Sequence, residues 1–446
     1  MPREIPNCPK KPNPALEAGR SYEIELITPM FGGGVEPGVN DPSFPIRPTA
    51  IRGQLQFWWR ATVGAQYATR EQLRAAQSAI WGSTERASRV QVLVEAIDVS
   101  DPVPCAKIEW NPKARQGKGA WRLGWQAPFN THDSALPYAL FPFQGELPPP
   151  KKNELVTVPP AACIHQANFR LTIHCPNDRW PQVEPAVWAW VNFGGLGCRT
   201  RRGCGTILCK EFAPRDHDQF VEQLKQWVPY EMPVREWPTV ADNVLLRTVH
   251  PPGEPIRGWD WLIGLYKHFR QGVKLARNTG QQRNRPGRSR YPEPETIRRV
   301  TGQRSGQHAR LGHIPDDAFP RAELGLPIVF HFKDDRAGDP PDTVLYPSNG
   351  SDGKRRERMA SPLILKPLVL GNGKAIPLIL RLKAPQLNGV DLRRGETSLS
   401  LPPSTAIRDS RLSTYRDSPL GRSPDGSALE AFLAFACPEG FTEVTR

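Results

Sequence analysis

The sequence predicts an α+β protein of two tandem domains that carry long Pro-rich loop insertions. Three observations predict it. Segments with strand-like alternation and segments with helix-like four-residue spacing follow one another along the chain. The 446 residues are enough for two to four ordinary domains and a sizeable core. Between the periodic segments lie many of the 49 prolines, about twice the usual share of roughly 5%.

Residues 1–20 are rich in Pro and Lys and read as an irregular arm. YEIELIT (22–28) alternates apolar and polar residues and reads as a strand. After a Gly/Pro loop, residues 51–66 read as a helix whose buried stripe is Ile51, Leu55, Trp59 and Val63, with Arg52, Gln56 and Arg60 on the opposite face. A strand at 90–99, loops at about 105–160, a strand at 168–175, a short helix at 185–193 and a strand at 206–212 follow. This β-α-β-insertion-β-α-β order matches the ferredoxin-like split βαβ arrangement.

A Pro-rich stretch at 229–238 marks a boundary. It divides an N-terminal domain, 21–228, from a C-terminal domain, 229–446, with an Arg-rich insertion at about 278–310. The second half predicts a strand at 243–249, then a helix at 258–277 burying Trp259, Leu262, Ile263, Tyr266, Phe269 and Val273. Lys267, Arg270, Lys274 and Arg277 share that helix's other face. A short helix at 292–300, strands at 327–332, 362–370 and 377–382, a helix at 427–436 and a strand at 441–444 complete a more decorated βα domain.

The formal charge is +14, and 43 of the 59 basic residues are Arg. The charge is concentrated. Residues 193–210 hold three Arg and one Lys and no acid, a net +4. Residues 270–310 hold ten Arg and one Lys against Glu293 and Glu295, a net +9. Local excess of this kind points to an anionic polymer, and guanidinium suits phosphate and base stacking. No apolar run approaches the roughly 18 residues of a membrane span, and the N-terminus has no apolar segment of a secretory signal. The eight Cys form no CxxC pair, so reduced cytoplasmic thiols are expected, with no metal or other cofactor.

GGLGCRTRRGCG (194–205) is the sharpest motif, with five Gly and three Arg, Arg199, Arg201 and Arg202, between a helix and a strand. Gly would let backbone N–H groups approach an anion, and the Arg residues would supply charge. In RNRPGRSRYPEPETIRRVTGQR (283–304), Arg285, Arg288 and Arg290 read as phosphate contacts and Tyr291 as a stacking group. Arg298 and Arg299 already suit the C-terminal end of their own helix. The start of the helix near Ile51, with Arg47 before it and Arg52 in its first turn, is an anion site. Trp58 flanks a ligand or is partly buried. There is no HExxH, no GxSxG and no distinctive carboxylate pair; Asp41 is the one acid whose placement suggests chemistry.

ITPMFGGG, IRGQLQFWWRA, IWGS and NFGGLGCRTRRGCGTI together resemble the RAMP superfamily. With GRSRYPEPETIRRVTG, FPRAELGLPIVFHF and RMASPLILKPL they resemble the first, double-domain RAMP subunit of type III-B CRISPR (Cmr) effector complexes. The resemblance implies two tandem ferredoxin-like (RRM-like) domains and a place at the head of the complex, near the 3′ end of the guide RNA. It implies a non-catalytic role in capturing target RNA, with guide RNA, target RNA and other RAMP subunits as partners and no membrane. Backbone RAMP subunits that cleave target carry an Asp in the loop after the first strand, where Asp41 stands here. An endoribonuclease using Asp41 and a structural adaptor for acidic protein partners are the rival expectations.

Overall fold

The first strand, β1 (Arg20–Leu26), points Tyr22, Ile24 and Leu26 inward and Glu23 and Glu25 outward, as strict alternation requires. The computed structural model describes residues 19–444, apart from 37, 42, 115–118, 131–132, 153, 229–232, 241–243, 281–286, 307, 309–316, 333–336, 349–354 and 415–417. The expected arm therefore lies almost wholly outside the described residues.

After β1 come β2 (Met30–Phe31), α1 (Pro48–Ala61), α2 (Arg70–Trp81), β3 (Gln91–Val99), β4 (Val103–Pro104), β5 (Ala106–Asn111), β6 (Ala120–Trp125) and α3 (Leu136–Leu140). The N-terminal half closes with β7 (Ala162–Ile164), β8 (Ala167–His174), α4 (Trp180–Phe193), β9 (Ile207–Leu208) and α5 (His217–Trp227). The C-terminal half begins with β10 (Val244–Arg247), α6 (Pro255–Gln271) and α7 (Glu293–Thr301). It continues through β11 (Ile328–Phe330), β12 (Thr343–Pro347), β13 (Leu363–Val369), β14 (Ala375–Arg381), β15 (Val390–Arg394) and β16 (Thr397–Leu399) to α8 (Ala428–Ala436) and β17 (Phe441–Glu443).

Two sheets organise the molecule. The first has the order β3-β8-β1-β9 and the second β13-β14-β10-β17. Numbered within each sheet, both read second, third, first, fourth, and every pairing is antiparallel. Helices α1 and α4 lie between the sheets. One apolar core joins Ile24, Phe169 and Leu171 of the first sheet through Trp59 and Trp188 to Ile364, Leu368 and Leu378 of the second. On the far side of the second sheet, Leu363, Leu365 and Ile379 pack on α6 and α8. The layers therefore run sheet, helices, sheet, helices.

Several elements differ from expectation. The first helix starts at Pro48 and stops at Ala61, because Thr62 leaves helical geometry and its hydroxyl donates back to the Trp58 carbonyl at 2.7 Å. Helix α2 has no counterpart among the expected elements; Thr69 and Gln72 cap its start reciprocally. Within the expected loops at 105–160, β5 and β6 form a hairpin held by an edge-on Trp110–Trp121 pair. Helix α4 begins at Trp180, five residues early, with Pro181 in its first turn and Pro185 inside it. The strand expected at 206–212 is only Ile207–Leu208. Helix α6 ends at Gln271, so Lys274 sits in a turn at φ +68° and Val273 is exposed. Of a third sheet, β11-β12-β15-β16, only the first strand matches an expected element.

Candidate nucleic-acid interface

The glycine-rich loop leaves α4 and enters β9 through a 3₁₀ turn, Thr200–Arg202. Its glycines serve close packing. A Cβ on Gly205 (φ +65°) would stand 1.9 Å from the Leu196 carbonyl oxygen, and one on Gly203 (φ +86°) 2.4 Å from Trp259 Nε1. Several of the loop's N–H groups are engaged within the protein. Leu196 donates to Gly205 at 2.8 Å, Cys198 to Phe31 at 2.7 Å, Arg202 to Arg199 at 2.8 Å and Gly205 to Pro29 at 3.0 Å. These engaged N–H groups are not available to cradle an anion, and the loop's charge lies on its arginine side chains.

Those side chains turn toward the C-terminal half. Arg201 donates to the Ser361 carbonyl and lies over the Phe57 ring. Arg202 donates to the Leu363 carbonyl at 2.9 Å and to the Tyr266 hydroxyl at 3.4 Å, with its guanidinium 4.9 Å from that ring. Arg270, on α6, reaches the same hydroxyl at 3.0 Å. Arg199 is held in the left-handed region (φ +57°) beside Arg202 and Tyr266. The two basic windows thus meet at one tyrosine. The helical period places Tyr266 only in a buried stripe, and nothing local marks it as the meeting point.

The electrostatics of this meeting point are one-sided. Among the described residues no carboxylate forms an ion pair with Arg199, Arg201, Arg202 or Arg270. The Nε–H groups of Arg199 and Arg270 are buried without a hydrogen-bond partner. Burial and the neighbouring Arg202 push the Arg201 guanidinium down to about 10 and lower that of Arg199 as well. Burial alone would raise the Tyr266 hydroxyl, yet Arg270 and Arg202 outweigh it and hold the phenol below its ordinary value. Clustered cations without a counter-charge are costly to bury, and an arriving anion would relieve that cost.

The other expected contacts are distributed differently. Arg47 donates to the Gly34 carbonyl, Arg52 to the Trp81 carbonyl, and Arg60 to Gln77 Oε1 at 3.2 Å. The face of α1 expected to be open is therefore partly covered, chiefly by α2. Lys267 and Lys274 are exposed. Arg285 lies outside the described residues. Arg288 pairs with buried Glu295 at 2.7 Å, which also takes Arg298 at 2.7 Å and Arg304 at 2.8 Å. Arg290 donates to Asn278 at 2.7 Å and to the Lys274 carbonyl. Tyr291 is not presented to a ligand for stacking. It is buried, its hydroxyl donates to the Phe269 carbonyl at 2.7 Å, and Arg321 covers its ring.

Trp58 is buried against Phe193 and lines a cavity of about 200 Å³ with Phe57 and Arg201. Asp41 Oδ1 accepts from the backbone N–H groups of Ser43 and Phe44, both at 2.9 Å, and so caps its own turn. Among the described residues no group of three His, Cys, Asp or Glu side chains could hold a metal ion. Among them, too, no helix is long and apolar enough to cross a membrane.

Residues 23–208 match the family model of the RAMP superfamily. This part of the chain is similar to RAMP-superfamily sequences. Over 192 residues it is 23% identical to the CRISPR system Cmr subunit Cmr1-2 of Pyrococcus furiosus, covering 42% of this chain and 92% of that protein. The crystal structure of apo Cmr1 from Pyrococcus furiosus aligns with a TM-score of 0.45 at 17% identity, over 86% of this chain and 94% of that one. A chain of the type III-B Cmr-beta complex bound to cognate target RNA aligns with a TM-score of 0.42 at 11% identity, over 86% and 96% of the two chains. The matched RAMP region begins within β1, contains α1, α4 and the whole glycine-rich loop, and stops at the end of β9.

Proposed function

We propose that this chain is a non-catalytic RNA-binding subunit of a type III-B CRISPR RNA-guided complex. It sits at the head of that complex near the 3′ end of the guide, contacts guide and target RNA beside other RAMP subunits in the cytoplasm, and aids target capture. Its two sheets of equal strand order are two tandem ferredoxin-like domains, divided near 229–238. The observation that carries the reading is the cluster of Arg199, Arg202 and Arg270 around Tyr266, which has no acidic counter-charge among the described residues. Base pairing between guide and target supplies sequence specificity in such systems, and protein contributes phosphate contacts and shape. Arg201 and Arg202 do double duty, since they also tie the two halves together.

RNA retention by the purified chain, measured over a salt series, tests this. In the single variants Arg199→Ala and Arg270→Ala, the log–log slope is expected to fall by about 0.7 for each phosphate left without its guanidinium. Unchanged affinity and slope in both would overturn the site. Incubation with complementary RNA and Mg²⁺ is expected to leave the RNA intact. Cleavage that Asp41→Ala abolishes would replace the reading with the endoribonuclease one.

A further inference from the structure

The open face of the first sheet carries charge of the opposite sign to the chain as a whole. Antiparallel pairing sets its outward residues in three cross-strand rows, Asp98–Asn168–Glu25, Glu95–Arg170–Glu23 and Leu93–Thr172–Ser21, with Gln91–His174 at the end of the strands. Four carboxylates face one guanidinium, and Arg170 is already held between Glu23 at 2.9 Å and Glu95 at 3.0 Å. The three rows contain no aromatic side chain. A sheet that binds RNA across its face needs stacking rings and positive charge, and these three rows supply no ring and a net negative charge.

The sheet ends beside this face at β3. β3 is the outermost strand, nine residues long, and its outer backbone pairs with no strand among the described residues. Leu93 and Ile97 on it are each 52% exposed, with a bulge between Ala96 and Asp98. Long edges with exposed apolar residues invite strand addition unless something covers them.

We propose that β3 and the acidic face beside it form a protein-docking surface for an extended, basic strand of a partner subunit. The added strand would take main-chain hydrogen bonds from the β3 edge. Its apolar residues would pack on Leu93 and Ile97, and its Lys or Arg residues would meet Glu95 and Asp98 on β3. Complementary charge sets orientation and association rate in such an interface. The surface is separate from the arginine cluster around Tyr266, so the inference does not rest on the RNA reading.

The test uses the full chain and a labelled eight-residue peptide that presents, on one face of an extended strand, valine opposite Leu93 and lysine opposite Glu95 and Asp98, with a control peptide carrying glutamate in place of lysine. Anisotropy is expected to show binding of the basic peptide only, weakened at least tenfold in Glu95→Lys/Asp98→Lys. Hydrogen exchange should slow at outward-facing β3 amides. No binding, or binding indifferent to the double variant, overturns the proposal. Leu93→Ser is expected to weaken the peptide and leave RNA affinity unchanged; a tenfold loss of RNA affinity would assign the face to RNA instead. A dimer in light scattering that the double variant dissolves would assign it to a second copy, and would likewise overturn the partner-strand proposal.

Discussion

The two sheets share a strand order and differ in what covers them. The first is half open: β1 alternates RSYEIEL between core and solvent, and its outward face is a lattice of Glu, Thr and Arg. The second is closed on both sides, and β13 is buried at every position from Leu363 to Val369. Its inner face packs on α4 and α1, and its outer face on α6 and α8. Equal topology therefore does not imply an equal role. One sheet keeps a face available for a partner, and the other gives up both faces to hold the halves together.

Lys366 shows what closing the second sheet requires. It lies mid-strand on the inner face, fully buried, and its ammonium donates to the Val191 carbonyl at 3.1 Å and the Gly194 carbonyl at 2.9 Å. Those carbonyls end α4, where backbone acceptors lack helical partners and the helix dipole is negative. Burial lowers the amine to about 7.

The largest effect that would test the contrast is cavity formation. Leu378→Ala in the closed sheet is expected to cost about 2–5 kcal/mol in urea unfolding. Thr172→Ala on the open face should stay within about 0.5 kcal/mol. Equal losses would break the comparison. Next comes the Gly203→Ala substitution, which sets a Cβ against Trp259 at positive φ and should destabilise by about 1–3 kcal/mol. Its expected signature is separation of the halves, read as two unfolding transitions in the variant against a single one expected for the wild type.

Lys366 gives a smaller effect with a defined sign. The folded state holds this amine's proton less tightly than the unfolded chain, so above about pH 7 the unfolded state binds more protons and stability rises with pH. The rise is at most about 1.4 kcal/mol per pH unit and ends near the ordinary lysine value of about 10.4. Lys366→Met should lack this increment; parallel wild-type and variant stabilities between pH 7 and 9 would refute it. The smallest effect belongs to the open face. Arg170→Ala removes two exposed ion pairs and is expected to leave the urea midpoint nearly unchanged.

The long periodic segments are legible because their signals are local. The strands β1, β3, β8, β13 and β14 and the helices α1, α6 and α8 appear near their expected places, each with several turns or alternations of pattern. The third sheet is not legible beyond β11, since β12, β15 and β16 are three to five residues long and β12 pairs with β15 across about forty residues of chain. Helix α2 is detectable in principle from its Thr69–Gln72 capping box. Neither Tyr266 nor Lys366 carries a local sign of its role.

The sequence by itself determined the α+β alternation, the two basic windows and the position of the glycine-rich loop, because composition and period are properties of neighbouring residues. Only the tertiary structure decided what each charge faces. Arg202 meets Leu363, 161 residues away, and Arg170 meets Glu23, 147 residues away. Arg288 and Arg298 are balanced by Glu295, whereas Arg199 and Arg270 have no acidic partner among the described residues. The energy of a guanidinium depends on its desolvation and its counter-charge, and chain folding, rather than sequence order, supplies both.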